Sequence, residues 1–133
     1  MNRYKFRENL FKLLFLSEFH SQEDMEQQKE LFFDSEEFEN VITTDKDKIL
    51  DKYEHIIPLI EKIDDRINEV ASGWSTERMG RVELTILRLA VYEMIYDEDV
   101  PVSVAINEAV ELAKKYGQDE SPSFINGILA KLA

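Results

Sequence analysis

Two histidines and a run of alternating acid and base are the residues of this chain whose types could hold a metal ion or move a proton. His20 and His55 are the only imidazoles, and imidazole serves both as ligand and as general base. They are not at i, i+4 spacing, and no partner motif accompanies either, so each reads as a structural or surface residue. The run "DKDK" at 45–48 starts like a calcium loop, but Ile49 and Leu50 replace a ligand and the obligatory glycine. Adjacent carboxylates such as Asp64 and Asp65 carry no acid–base signal in a chain with 28 acidic residues. The sequence has no Gly-rich phosphate loop, no Gly-x-Ser-x-Gly and no dinucleotide fingerprint. Cysteine is absent, which excludes disulfides, thiolate metal sites and cysteine nucleophiles. The expectation is a protein without catalysis, metal or cofactor.

Charge is distributed unevenly. The net charge of −12 argues against non-specific nucleic-acid binding, which needs a basic footprint. Residues 1–17 nevertheless hold Arg3, Lys5, Arg7 and Lys12 against Glu8 alone. Residues 18–69 hold 6 basic and 17 acidic residues. The single basic segment therefore precedes a strongly acidic middle.

The elements that must position these residues are helical. Tyr4, Phe6, Leu10, Leu13, Leu14 and Phe19 recur at helical spacings. Ser21 with Asp24 resembles a capping box and opens a second helix over 22–35. The mixed stretch "DSEEFENVITT" reads as a loop, and Thr44 with Asp47 opens a third helix. Pro58 removes a helical donor and predicts a kink or boundary near His55–Ile57. Ile60, Ile63 and Ile67 resume the period, and Ser72-Gly73 ends it. Over 82–96, Thr85, Arg88, Tyr92 and Tyr96 form a narrow polar stripe on an otherwise apolar segment, which predicts the central helix. Pro101 precedes "AINEAVELAKKYG", which stops at Gly117, a natural left-handed C′ residue. Asn107 is a poor helix former, and the expectation is that it and Glu108 make buried or interhelical hydrogen bonds. Ser121 caps a last helix with Pro122 at its first position. About six or seven helices without strand alternation make an all-α bundle. With 133 residues and no linker, one domain over 1–133 is expected. No stretch approaches the ~20 apolar residues that span a bilayer. No signal peptide is legible in "FKLLFLSEF", and the expected location is the cytoplasm.

Three stretches carry a resemblance. "RVELTILRLAVYEMIY", "DVPVSVAINEAVELAKKYG" and "SPSFINGILAKLA", in that order, resemble the C-terminal half of the NusB family of bacterial transcription antitermination factors. "RENLFKLLF" resembles that family's first helix, and "NEVASGW" the segment before its central helix. The resemblance implies two three-helix bundles packed at an angle and no catalysis. It implies binding of boxA, a short single-stranded RNA element, together with the ribosomal protein NusE, within the transcription elongation complex. Matched residue by residue, the family's arginine-rich run falls on Arg3, Lys5 and Arg7, with Lys12 one turn before the aromatic position Phe15. Glu120 and Phe124 match positions beside the RNA, and the NusE-facing surface implies Glu83, Arg88 and Glu93. Such chemistry suits single-stranded RNA, which is held by cations on phosphates and aromatic faces under bases.

Bland roles stand beside each assignment. Phe15 and Phe124 are equally suited to a core, Glu83 and Glu93 to a solvated face, Arg88 to an internal ion pair, and Arg3, Lys5 and Arg7 to a solvated tail. The arginine run is also sparser than the family's, because Tyr4 and Phe6 interrupt it. A protein-binding adaptor or homodimer with little RNA affinity is the competing class. A third reading, an RNA-modifying enzyme with a NusB-like domain, lacks a cofactor-binding segment in this sequence.

Overall fold

Apolar residues recurring every three or four positions build seven helices among the described residues of the computed structural model, which describes residues 1–34 and 43–133. In chain order they are α1 (Arg3–Ser17), α2 (Gln22–Phe33), α3 (Thr43–Ile56), α4 (Ile60–Val70), α5 (Arg81–Tyr96), α6 (Val102–Tyr116) and α7 (Ser121–Leu132). No strand occurs among the described residues, as the all-α expectation requires. The helices divide into two compact units, Met1–His55 and Ile56–Ala133.

The first unit is built from α1, α2 and α3. Leu10, Leu13, Met25, Ile49 and Tyr53 are almost wholly buried in it. The Ser21 hydroxyl accepts from the Asp24 N–H at 3.1 Å, so the expected cap opens α2. That helix ends at Phe33, two residues earlier than its sequence pattern predicts. The loop expected after it lies almost entirely outside the described residues, and so does the side chain of the expected cap Thr44. Lysines on α2 and α3 tie the unit together. Lys29 Nζ lies 2.6 Å from Glu54 and 5.0 Å from the centre of the Tyr53 ring. Lys52 lies 5.6 Å from the centre of the Phe6 ring. Burial opposes the charge on Lys29, but the carboxylates of Glu54 and Glu26 outweigh it and hold its pKa above the usual lysine value.

The second unit begins where Pro58 predicts a boundary. α3 stops at Ile56, a single 3-10 turn spans Ile57–Leu59, and α4 starts at Ile60. Ile63 and Ile67 bury its apolar face. α5 is the central helix of this unit, touching α4, α6 and α7. Its polar stripe is not a solvent face. Thr85 is buried and donates its hydroxyl to the Arg81 carbonyl at 2.7 Å. Arg88 reaches α4, and Tyr92 stacks on Tyr96 with ring centres 6.1 Å apart. Along α6, Ala105, Ala109 and Ala113 are buried, and their small side chains allow close helix approach.

Two details differ from expectation. Asn107 is exposed on α6, beside a polar groove shared with Asn126 of α7, and does not fix the bundle from inside. Its low helix propensity is offset by the packed alanine face on the other side. Gly117 does end α6, but with φ −93° rather than in the left-handed region. Glycine is required there by crowding: a Cβ would lie 2.6 Å from Ser121 Cβ and 2.8 Å from the Ala113 carbonyl oxygen. Gly117→Ala should therefore cost about 1–3 kcal/mol, the usual cost of overpacking, read as a lowered midpoint in urea at unchanged slope.

Candidate functional site

In the second unit the chain between α4 and α5 is fixed by its own polar groups. Gly73 takes φ +80°, a backbone that favours glycine, and turns the chain after α4. The Thr76 N–H donates to Asn68 Oδ1 at 2.8 Å. The Arg81 guanidinium donates to the carbonyls of Thr76, Glu77 and Met79 at 3.1–3.2 Å. This frame presents Trp74, which is 54% exposed. Its ring meets Phe124 of α7 edge to face, with centroids 6.0 Å apart and planes at 78°.

Trp74 and Phe124 form one side of a cleft of about 280 Å³ that also takes in Glu83, Gln118 and Glu120. Ser121, expected as the cap of α7, has a different task. Glu120 holds the cap position, and Ser121 is buried one residue further in. Its hydroxyl accepts from the Gln118 N–H at 2.9 Å and donates to Glu83 Oε1 at 2.7 Å. Ser121 thereby aims the Glu83 carboxylate. Gly80 makes room for it, since a Cβ there would collide with Glu83 Oε2. The cleft joins Glu83, which the sequence assigns to a protein partner, with Glu120 and Phe124, which it assigns to RNA.

The other two partner-facing residues lie deeper. Arg88 makes a bidentate pair with Asp64 of α4, at 2.9 and 2.8 Å, with both side chains mostly buried. Glu93 is 3% exposed. Of the three, Glu83 alone lines the cleft.

In the first unit the basic run separates by exposure. Arg3 and Lys5 are exposed, Lys12 is half-buried, and Arg7 is buried at 5% exposure. Lys5 Nζ lies 3.2 Å from Glu8. Phe15 is half-buried and meets the exposed Phe19 edge to face at 5.1 Å. Sequence reasoning missed Trp74 and Ser121 as site residues. Trp74 carried one signal, being the only tryptophan and preceding the central helix.

Among the described residues no group of three or more His, Asp or Glu could hold a metal ion. His55 is exposed on α3, with Nδ1 2.7 Å from the Asp51 carbonyl oxygen, and His20 is half-buried. No described helix is long and apolar enough to cross a membrane.

The sequence was then set against known proteins. The NusB family model matches residues 4–133. The chain belongs to the NusB family. A transcription antitermination protein NusB from Agathobacter rectalis is 49% identical over 133 residues, covering 100% of both chains. One from Lachnoclostridium phytofermentans is 47% identical, covering 99% of this chain and 98% of that protein. NusB from T. maritima superposes with a TM-score of 0.87 at 37% identity, covering 100% of this chain and 91% of that one. A complex of NusB and NusE with double-stranded RNA has the same fold, with a TM-score of 0.80 at 24% identity, covering 99% of this chain and 97% of that one. The NusB resemblance read from "RVELTILRLAVYEMIY" onward is thus borne out over nearly the whole chain.

Proposed function

We propose that this chain is a non-enzymatic, cytoplasmic transcription antitermination factor that binds boxA-type single-stranded RNA together with NusE. The observation that carries this reading is full-length similarity to proteins named for transcription antitermination. The chain works as one domain over 1–133 and joins the transcription elongation complex. In the first unit, Arg3, Lys5 and Lys12 neutralise phosphates and Phe15 offers an aromatic face. Arg7 supports this surface from inside the fold. In the second unit, Phe124 and Glu120 meet the RNA at the cleft. Glu83 is the accessible acid near the NusE-facing part of α5, and Arg88 and Glu93 hold that helix in place.

The number of phosphate contacts sets a measurable quantity. Three exposed or half-exposed cations give a log–log salt slope of about −2 on a single strand, since each neutralised phosphate contributes about −0.7. Fluorescence anisotropy of labelled boxA-like RNA, titrated with the protein over a range of salt, measures it. A slope near −2, with tighter binding when NusE is added, fits the proposal. Failure to bind RNA with or without NusE contradicts it.

A homodimer or protein-binding adaptor with little RNA affinity is the second reading. The net charge of −12 and the burial of Arg7 favour it. It predicts a stable NusE complex or a self-associating chain, with no RNA bound by either.

A further inference from the structure

The cleft beside Trp74 has a chemistry of its own. Its polar lining includes Glu83 and Glu120, and no lysine or arginine borders it. A phosphate would meet two carboxylates there and no countercharge, so the backbone of a nucleic acid belongs elsewhere. A base is different. It is uncharged, flat, and carries donors at its edge.

The two rings form a corner. With planes at 78° and centroids 6.0 Å apart, a flat group stacked on one ring meets the other at its edge. Trp74 is more than half exposed, so its surface is open to such a group. Glu83 supplies the acceptor. Its Oε1 already takes the Ser121 hydroxyl, which fixes the carboxylate, and Oε2 lies over Gly80. A carboxylate without an adjacent cation calls for a ligand with donors side by side. Guanine presents N1–H and N2–H together, whereas uracil presents one N–H between two carbonyls that a carboxylate repels. Adenine and cytosine offer only the amino group on that edge, beside an acceptor nitrogen. A volume of about 280 Å³ also suits a fused two-ring base better than the single plane of a guanidinium.

We propose that this cleft is a guanine-selective pocket for one base of a bound single strand, with Trp74 and Phe124 as the stacking corner and Glu83 as the residue that reads the base edge. This rests on the RNA-binding reading above and deepens it. It gives Ser121 and Gly80 positioning roles, since one aims the carboxylate and the other leaves room for it.

Trp74 is the only tryptophan, so its fluorescence reports this site alone. The test titrates the full-length protein, with NusE present, with short single-stranded RNAs that differ at one position. That position is guanosine, adenosine or uridine. Anisotropy of a label on the RNA reports binding anywhere on the protein. Guanosine should quench Trp74 and bind roughly tenfold tighter than adenosine or uridine, as expected for one well-made contact to a base edge. Glu83→Gln should abolish the preference while RNA still binds. Gly80→Ala, which pushes the carboxylate aside without removing its charge, should weaken the preference at unchanged NusE affinity. Trp74→Ala, at an exposed position, should leave the fold intact and weaken binding of the guanosine strand.

RNA that binds by anisotropy without quenching Trp74, or without preference for guanosine, would overturn the pocket and leave the RNA-binding function standing. Absence of RNA binding under every condition would overturn both. Quenching by an arginine-containing peptide, with none by RNA, would assign the cleft to a cationic side chain of a protein partner instead.

Discussion

Arg88→Ala should lower the unfolding free energy by about 2 kcal/mol, somewhat less than the roughly 3–5 kcal/mol for breaking a fully buried pair. The Arg88 guanidinium holds both oxygens of Asp64, tying α4 to the central helix α5. Removing the arginine leaves a carboxylate at 19% side-chain exposure without its bidentate partner. The loss should appear in urea denaturation as a lower midpoint. Asp64→Ala should cost a similar amount, and the double variant Asp64→Leu/Arg88→Met should recover much of it, since neither charge is then left behind. This series also separates two roles. If Arg88 acts only from within the fold, NusE affinity of Arg88→Ala, measured where the variant is fully folded, stays at the level of the parent protein. A large loss of NusE affinity in a folded variant would make Arg88 a direct contact.

The second large effect concerns RNA. Arg3→Ala/Lys5→Ala should weaken RNA binding about tenfold at low salt and flatten the salt slope by about 1.4, two phosphate contacts at about 0.7 each. NusE binding and thermal stability should not change, because both side chains are exposed. Arg7→Ala should behave differently. Its side chain is buried, so the variant should lose stability, and its RNA deficit should follow the unfolded fraction. Equal RNA losses in folded Arg3→Ala/Lys5→Ala and Arg7→Ala proteins would show that the three cations act alike.

That contrast marks what the sequence could and could not show. Helix positions were legible because periodicity, caps and prolines are local signals. Pro58 placed the α3–α4 boundary to within a residue, and Ser21 opened α2 with the hydrogen bond its type predicts. The polar stripe of α5 was legible as a pattern, but not in its meaning. A polar residue on an apolar helix reads the same whether it faces water or a partner 24 positions away, as Arg88 faces Asp64. The consecutive polar residues Arg7, Glu8 and Asn9 read as a solvated start to α1, yet all three are buried. Asn107 misled in the opposite direction, since an unusual residue in a packed helix stands at the surface.

The site followed the same rule. Phe124 and Glu120 were legible only through the family resemblance, because neither spacing nor composition distinguishes them. The cleft itself was not legible. It depends on Trp74 meeting Phe124 fifty positions away, and on Ser121 reaching Glu83 across 38 positions instead of capping its own helix. Gly80 and Gly117 look like ordinary punctuation in the sequence. Their value lies in what stands beside them, a carboxylate in one case and the start of α7 in the other.

The most direct measurement of the central claim is transcription through a terminator placed downstream of a boxA-bearing leader, with elongating polymerase and NusE present and this protein added or withheld. The account predicts greater readthrough when the protein is added, only on the leader that carries boxA, and a smaller gain with Arg3→Ala/Lys5→Ala. Readthrough that is unchanged by the protein, or raised equally on a leader without boxA, would contradict it.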